Sequence, residues 1–372
     1  MSEKNKITKF LIKTVSIFIK TAIIAISITY GSIVAVLSIP EFLKNIKKST
    51  FGENLNPELV RAASHRLKNF EGKHFFIKAS DGIKLHVFIR KHGGNIKSKG
   101  TILFLHGFPS FWYSWKDQIE FFYTKGYDVV APDLRGYSQS DRPWNPLRYC
   151  MDQLCDDVNS VIDSLDHFFG ESDKNVILVG HDWGGLIASA FSGVYPKKVK
   201  KLVLINTTHI GASFHGFLTG GHGQIFKSFY IFFFQLPIIA ELLPVPIKNL
   251  DKKGAPDTLD EIDRVALKMQ FSGFFGMTGG INLYRGNFMW GLYFRDAEFM
   301  KKYTFCKIKT DTVMIWGRND VYFDPEIPEV NGRYFLNYKV DYLEDRASAG
   351  EGHWCLTDRS REVNKKMLSF IE

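Results

Sequence analysis

An aspartate stands at a position from which a sharp turn would present a reactive side chain. The apolar run Val176–Val179 is typical of a buried strand, and the sequence GHDWGG, which contains Asp182, follows it directly. Small residues around a central residue, between a strand and a helix, are typical of a nucleophile elbow. The usual central residue is serine, which attacks carbonyl groups. An aspartate at this position would instead form an ester with an electrophilic carbon, and water can cleave that ester.

A second motif predicts the donors that such an ester would need. The sequence HGFP begins directly after the apolar run Ile102–Leu105. At this place in an α/β-hydrolase a backbone N–H helps to form the oxyanion hole, together with the N–H that follows the nucleophile. We therefore predict the backbone N–H groups of Phe108 and Trp183 as the two donors.

An acid and a histidine follow the nucleophile further along the chain. Asp320 lies in GRND, just after the apolar run Val313–Trp316, and His353 lies in EGHW near the end of the chain. The order nucleophile, acid, histidine is that of α/β-hydrolases. Open α/β sheets build their sites at the carboxyl ends of strands. We therefore expect Asp320 to orient His353 beside Asp182.

The elements that must position these residues alternate along the chain. The segment HFFIKASDGIKLHVFIR predicts a hairpin that turns at Asp81-Gly82. Helical segments separate most of the apolar runs that follow, which are Ile102–Leu105, Val129–Ala131, Val176–Val179, Leu202–Ile205, Val313–Trp316 and Val340–Leu343. This alternation predicts a mainly parallel sheet with helices on both faces.

One interval between strands is too long for a simple crossover. Residues 207–305 separate the apolar run Leu202–Ile205 from the next one, and they include the Phe-rich segment FKSFYIFFFQLPIIAELLP. Compact α/β units do not need such a connection. The uncharged part of this segment, Ser228–Ala240, is short for a membrane span. We therefore predict an inserted helical cap that lines an apolar pocket.

The positive charge of the chain is concentrated at its N-terminus. The 372 residues carry a net charge of +9, but residues 1–50 hold eight lysines and two glutamates and so account for +6 of it. The remaining body is close to neutral, which argues against nucleic acid as a partner. The four cysteines, Cys150, Cys155, Cys306 and Cys355, have neither metal-ligand spacing nor the density of a disulfide scaffold.

The N-terminal segment, residues 1–50, is predicted to anchor the protein in a membrane. Residues 21–40 carry no charge and are numerous enough to span a bilayer as a helix. Four lysines before this run lie on one helical face, which is typical of an interfacial helix. A cleaved signal peptide is the alternative, but the run is long for one and has a poor cleavage site. We expect a single-pass signal-anchor, with the endoplasmic reticulum as the membrane.

From about residue 70 to 372 the chain resembles the α/β-hydrolase-fold epoxide hydrolases, and with its N-terminal segment it is most similar to their membrane-anchored animal group. The matching motifs are HGFP, DLRGYSQSDRP, GHDWGG, FFQLPIIAE, GGINLYRGN, WGRND and EGHW. The resemblance implies Asp182 as nucleophile, Asp320 as acid and His353 as general base. It also implies two cap tyrosines that donate to the epoxide oxygen, Tyr230 and Tyr284.

The resemblance implies a division of the chain and two departures from the family. The expected parts are a hydrolase core at 70–206, a cap at 207–305 and the rest of the core at 306–372. Ser138 stands where the family usually has glycine, and the segment LEDRASAGEGHW before the histidine is longer than usual.

The implied reaction converts an epoxide to a vicinal diol, with no metal and no organic cofactor. The anchor and the Phe-rich cap favour an apolar, lipid-derived epoxide. One alternative is a haloalkane dehalogenase, which uses the same nucleophile but needs two donors for a halide. Trp183 is a candidate for the first donor. The second is commonly a residue of the oxyanion loop or the cap, and the loop residue here is Phe108. Another alternative is an inactive, membrane-anchored binding protein, but no member of the triad is missing.

Overall fold

The computed structural model describes most of the chain beyond the N-terminal segment. The described residues are 55–93, 97–170, 173–219, 223–242, 258–272, 275–288, 295–344 and 352–372, together with Thr21, Ala25, Thr29 and Ile33. The rest of the predicted anchor, residues 21–40, lies outside them. Within the described part, no helix is both long enough and apolar enough to cross a membrane.

A single eight-stranded sheet forms the centre of the fold. Its strands are Lys73–Lys78 (β1), Lys84–Arg90 (β2), Thr101–Leu105 (β3), Asp128–Pro132 (β4), Val176–His181 (β5), Val199–Ile205 (β6), Thr312–Trp316 (β7) and Tyr338–Tyr342 (β8). Their order across the sheet is β1-β2-β4-β3-β5-β6-β7-β8. The first two pairings, β1 with β2 and β2 with β4, are antiparallel, and all the others are parallel. The predicted mainly parallel sheet is therefore confirmed.

The predicted hairpin is present at one edge of this sheet. β1 and β2 pair from Lys73 opposite Ile89 to Lys78 opposite Lys84, and the connection turns at Asp81-Gly82. Gly82 has a φ of 88°, a left-handed backbone that glycine adopts without steric cost.

Helices cover the central strands, which explains why those strands are apolar along their whole length. Every residue of β3, β4 and β5 is buried, as expected where both faces of a parallel sheet are covered. The helices of the core are Lys116–Thr124, Met151–Asp163, Leu165–Phe169, Trp183–Val194, Ile327–Asn331, Cys355–Asp358 and Ser360–Ile371.

The interval between β6 and β7 is predominantly helical in its described residues. Its helices are Ile210–Thr219, Gln224–Lys227, Phe229–Phe234, Ile239–Leu242, Glu261–Gln270, Thr278–Asn287 and Ala297–Phe299, and a π-helical turn follows at Met300–Thr304. Aromatic contacts join this layer to the carboxyl ends of the central strands. The ring centroids of Tyr284 and Trp183 are 5.0 Å apart, and those of Phe234 and Phe108 are 5.8 Å apart.

A helix that precedes the sheet was not predicted from the sequence. Pro57–Lys68 packs against the inserted helix Glu261–Gln270. Arg66 Nη1 lies 2.6 Å from an Asp260 carboxylate oxygen and 2.8 Å from one of the buried Asp263. Because Asp263 is buried, its charge needs partners. The chain thus enters the folded domain alongside the inserted helices.

Candidate active site

Asp182 lies at the tip of a tight turn between β5 and the helix Trp183–Val194. Its backbone has φ 51° and ψ −122°, a conformation that a residue with a side chain rarely adopts. The turn is possible because Gly184, just after Asp182, has no side chain and can pack directly against the backbone of β3. A Cβ at Gly184 would lie 2.0 Å from the carbonyl oxygen of Leu105. The sequence GHDWGG therefore folds as the predicted elbow, with its aspartate directed into the site.

The Asp182 carboxylate is held by backbone donors on one side and faces a histidine on the other. The N–H of Phe108 donates to Oδ1 at 2.7 Å, and the nearby N–H of Trp183 favours the charged form of the carboxyl and so lowers its pKa. His353 Nε2 lies 3.8 Å from Oδ2. Burial raises the pKa of Asp182 above its ordinary value, although His353 and the two N–H groups oppose this. The two oxygens thus have distinct environments, with Oδ1 bound to the Phe108 N–H and Oδ2 facing His353.

The Asp320 carboxylate contacts the His353 ring and also accepts hydrogen bonds from backbone N–H groups. His353 Nδ1 lies 2.9 Å from Asp320 Oδ2, while the N–H groups of Tyr322 and Phe323 donate to Oδ1 at 2.7 and 3.0 Å. Burial opposes ionisation of Asp320, but His353 and the other donors outweigh it, so the pKa of Asp320 is lowered. Burial alone would lower the pKa of His353; Asp320 and Asp182 outweigh burial and raise that pKa above 6.5.

Asn206 completes this acid–histidine pair and was not predicted as a site residue. It directly follows β6 with a φ of 36°. Its Nδ2 donates to Asp320 Oδ2 at 2.8 Å and to the Gly317 carbonyl at 3.1 Å. The Gly317 N–H donates back to Asn206 Oδ1 at 2.8 Å. The available sequence signal was a polar residue at the end of a buried strand, the same signal that identified Asp320.

Two tyrosines from the inserted helices lie across the cavity from the carboxylate. Tyr230 and Tyr284 contact each other, with ring centroids 5.7 Å apart. The Trp183 ring packs edge to face on Tyr284, with ring centroids 5.0 Å apart. Burial raises the pKa of both phenols, and the negative charge of Asp182 raises it further. Both therefore stay protonated and can donate hydrogen bonds.

The inserted helix before Tyr230 is tied to the loop that carries the acid. Lys227 Nζ donates to the carbonyl oxygens of Asp320 and Phe323, at 3.3 and 2.7 Å. Gln224 Nε2 donates to the Tyr322 carbonyl at 3.0 Å. These contacts join parts of the chain about a hundred residues apart and fix Tyr230 relative to the triad.

A cavity of about 30 Å³ lies between the carboxylate and the tyrosines, with room for about one water molecule. Asp182, Tyr230 and Tyr284 line it together with Tyr322. Its apolar lining comes from Leu186, Ile231, Phe288, Phe323 and Ile327. In the part of the chain that the structure describes, no group of three or more His, Cys, Asp or Glu side chains could hold a metal ion.

Comparisons with known proteins place this geometry in a family. Residues 100–237 match the model of the alpha/beta hydrolase fold. Among solved structures, the chain is similar to an epoxide hydrolase from Bacillus megaterium, with a TM-score of 0.63 and 27% identity over 80% of this chain and 99% of that one. It is also similar to one from Vigna radiata, with a TM-score of 0.65 and 28% identity over 81% of this chain and 98% of that one.

Curated relatives carry the same family name as the structural neighbours. Epoxide hydrolase 4 of Homo sapiens is 31% identical over 315 residues, which are 81% of this chain and 79% of the relative. Epoxide hydrolase 3 of Mus musculus is 34% identical over 307 residues, which are 79% of this chain and 75% of the relative. The similarity thus extends beyond the matched core and includes the inserted helices. The chain belongs to the epoxide hydrolase family of the α/β-hydrolase fold.

Proposed function

We propose that this protein hydrolyses epoxides to vicinal diols through a covalent ester on Asp182. The observation that carries the proposal is the arrangement around the Asp182 carboxylate. One oxygen accepts a backbone N–H, while the other faces a histidine, and two protonated phenols lie across the cavity. A carboxylate attacks an sp³ carbon to give an ester, which water can cleave, whereas a serine would give a stable ether.

The first step opens the ring. Asp182 Oδ2 attacks an epoxide carbon because Oδ1 is held by the Phe108 N–H. The bond between that carbon and the ring oxygen breaks, and its electron pair remains on the oxygen. Tyr230 and Tyr284 donate hydrogen bonds to this developing alkoxide, which then takes up a proton. Donors aimed at developing charge in a water-poor cavity make a large contribution to catalysis.

The second step cleaves the ester. Neutral His353 removes a proton from a water molecule, which attacks the carbonyl carbon of the Asp182 ester. Asp320 orients the imidazole and stabilises the imidazolium that forms, as its contact with Nδ1 allows. Negative charge develops on Oδ1, where Phe108 and Trp183 supply N–H donors. The bond between the carbonyl carbon and the diol oxygen then breaks, this oxygen takes the proton from the His353 imidazolium, and the diol leaves. The regenerated Asp182 carboxyl releases the second proton of the water, which replaces the proton taken up by the alkoxide in the first step. Both steps use only side chains, backbone amides and water.

The dehalogenase alternative has less support in this site. It would need a second halide donor beside the Trp183 indole N–H. The second candidate position is occupied by Phe108, which offers no side-chain donor. The phenol pair suits an alkoxide, which gains from strong O–H donors. The inactive-protein alternative is also less supported, since all triad contacts are formed.

The substrate class that we propose is apolar and lipid-derived. The cavity lining beyond the carboxylate and the phenols is largely aliphatic and aromatic, with Leu186, Ile231 and Phe288 among its members. Such a lining favours alkyl or alkenyl chains on either side of the epoxide. We propose residues 207–305 as the cap that carries this lining, and 70–206 with 306–372 as the hydrolase core.

We also propose that residues 21–40 anchor the chain in a membrane as a single span, in the endoplasmic reticulum. The proposal is supported by the length of the uncharged run and by the lysines that flank it. The protein should resist carbonate extraction and require detergent. A variant that starts at Asn54 should be more soluble. Release of the full chain by high salt alone would contradict the anchor.

The function is tested by diol formation from a panel of epoxides. Fatty-acid epoxides and small aryl epoxides are incubated with the protein, and diols are measured by mass spectrometry. We expect turnover of epoxides with long alkyl chains and none with Asp182→Asn at early times. Chloroalkanes of the same chain length serve as the matched comparison. Halide release without diol formation would favour the dehalogenase alternative.

A further inference from the structure

A larger cavity lies at the edge of the sheet opposite to Asp182. Its volume is about 310 Å³, the space of about ten water molecules. Thr101, Asp128 and Ile177 line it, and each lies at or near the amino end of its strand, in β3, β4 and β5. The catalytic residues lie at the carboxyl ends of the sheet. No step of the proposed reaction uses the residues of this second cavity.

Four lysines give this cavity its charge. They are Lys91, Lys97, Lys99 and Lys200. Lys99 pairs with Glu372 at 2.7 Å, and Lys91 Nζ donates to a backbone carbonyl at 3.0 Å. Among the described residues, Lys97 and Lys200 have no carboxylate partner within ion-pair distance. Uncompensated ammonium groups that converge on a cavity attract an anion.

The acidic side chains of the lining do not neutralise the lysines. Two carboxylates line the cavity, but Asp128 accepts the His92 N–H at 2.7 Å and Asp173 accepts the Asn175 N–H at 3.0 Å. Four lysines against two carboxylates leave the lining with a net positive charge.

We propose that this cavity binds the phosphate group of a phosphate monoester. The ammonium groups of Lys97 and Lys200 donate hydrogen bonds to the phosphate oxygens. The same chemistry occurs in a soluble metabolite and in the headgroup of an anionic lipid. The site is independent of the proposed epoxide hydrolysis.

The test uses the full chain in neutral detergent, with glycerol 3-phosphate and phosphatidic acid in mixed micelles as probes. Calorimetric titration measures the Kd for each probe. We expect binding of at least one probe and, for Lys97→Gln/Lys200→Gln, a Kd about tenfold weaker or more, because two phosphate contacts are lost. Lys339→Gln, an exposed lysine on β8, is the matched control and should leave the Kd unchanged.

The Kd values of the two probes decide whether the cavity binds a phosphate monoester and of which class. Binding of glycerol 3-phosphate identifies a soluble ligand class, whereas binding of phosphatidic acid alone identifies a lipid headgroup. Epoxide turnover by the double variant should equal that of the unmodified chain, which shows that the fold is intact. Absence of binding by both probes would overturn the proposal. A Kd that shifts equally in the Lys339→Gln control would also overturn it, because the effect would then reflect net charge alone.

His181, the residue before the nucleophile, contacts the backbone of His353. Its Nε2 lies 2.8 Å from the backbone carbonyl oxygen of His353, and the two ring centroids are 4.8 Å apart. Burial lowers the pKa of His181 to about 3, so the ring is neutral and Nε2–H donates. Residues 345–351, before His353, lie outside the described part of the chain. This hydrogen bond joins the backbone of the histidine directly to the strand of the nucleophile.

From this contact we infer that His181 is a positioning residue for His353, an inference that rests on the proposed two-step reaction. The test compares His181→Gln with His181→Asn, because the longer glutamine amide reaches the position of Nε2 and the asparagine amide does not. For His181→Asn we expect ester hydrolysis to slow by about tenfold to 100-fold, as small misplacements do. Ring opening should change little, and His181→Gln should restore hydrolysis.

Measuring adduct formation and adduct decay separately distinguishes a failure of the His181 inference from a failure of the proposed function. Single-turnover kinetics measure formation and decay of the covalent adduct on Asp182 in each variant. Equal slowing of both steps, or equal behaviour of the glutamine and asparagine variants, would overturn the positioning role. Failure of the unmodified chain to form any adduct would instead contradict the proposed function.

Discussion

The two cap phenols can be removed one at a time without changing the bulk of either ring. Tyr230→Phe and Tyr284→Phe each delete one donor to the alkoxide, while the other remains in the same cavity. A hydrogen bond to a charged group contributes about 1.5–3 kcal/mol, so each single variant should open epoxides roughly 10- to 150-fold more slowly. The double variant loses both donors, and we expect at least about 3–4 kcal/mol, or a few hundredfold to 1,000-fold.

The assay is a single turnover with enzyme in excess over a lipid epoxide, followed by the mass of the Asp182 peptide. Loss of the epoxide, followed in the same samples, measures ring opening whatever the rate of the later ester cleavage. Tyr127→Phe is the matched control, since Tyr127 is a buried tyrosine remote from the cavity. A double variant that forms the adduct at the rate of the unmodified chain would refute the role assigned to the phenols.

Four further predictions follow from the acid–histidine pair and from Ser138. Asp320→Asn should slow ester hydrolysis by about 10³- to 10⁴-fold, with ring opening little changed, so the adduct should accumulate; loss of both steps together would contradict this. Ester hydrolysis in the unmodified chain should rise with pH through the pKa of His353, because only the neutral ring is a base, and that pKa lies above 6.5 before the ester forms. Asn206→Ala removes a donor to Asp320 and should lower the plateau of this profile in stopped-flow measurements. Ser138 has a φ of 46°, so Ser138→Gly should raise the unfolding free energy by up to about 1 kcal/mol in urea titrations, and a decrease would contradict the strain.

The sheet could be predicted because its strands are continuous apolar runs between turn signals. β5 and β7, for example, begin within a residue of where the sequence placed them, at Val176 and Thr312. Asp182 and Asp320 could be proposed as site residues because each follows such a run. The parallel sheet then carries both to one edge, where His353 lies 3.8 Å from one and 2.9 Å from the other.

The supporting contacts could not be predicted because they join residues with no local pattern. Asn206 follows β6 and donates to Asp320, which follows the neighbouring strand β7. The only sequence feature that indicates this contact is a polar residue at the end of an apolar strand. Lys227 bonds to carbonyl oxygens some ninety residues away, and backbone acceptors leave no trace in the sequence. The helix Pro57–Lys68 depends on Arg66 reaching the inserted helices, which is a tertiary contact.

The most direct test of the account is the origin of the oxygen in the first diol. In a single turnover in oxygen-18 water, an unlabelled Asp182 should transfer its own Oδ2 to the product. The first diol should therefore carry no label, and the Asp182 peptide should gain one oxygen-18 atom. His353→Gln should trap an adduct of substrate mass on Asp182. A labelled diol in the first turnover, with no adduct in His353→Gln, would show that water attacks the epoxide directly and that Asp182 is not the nucleophile.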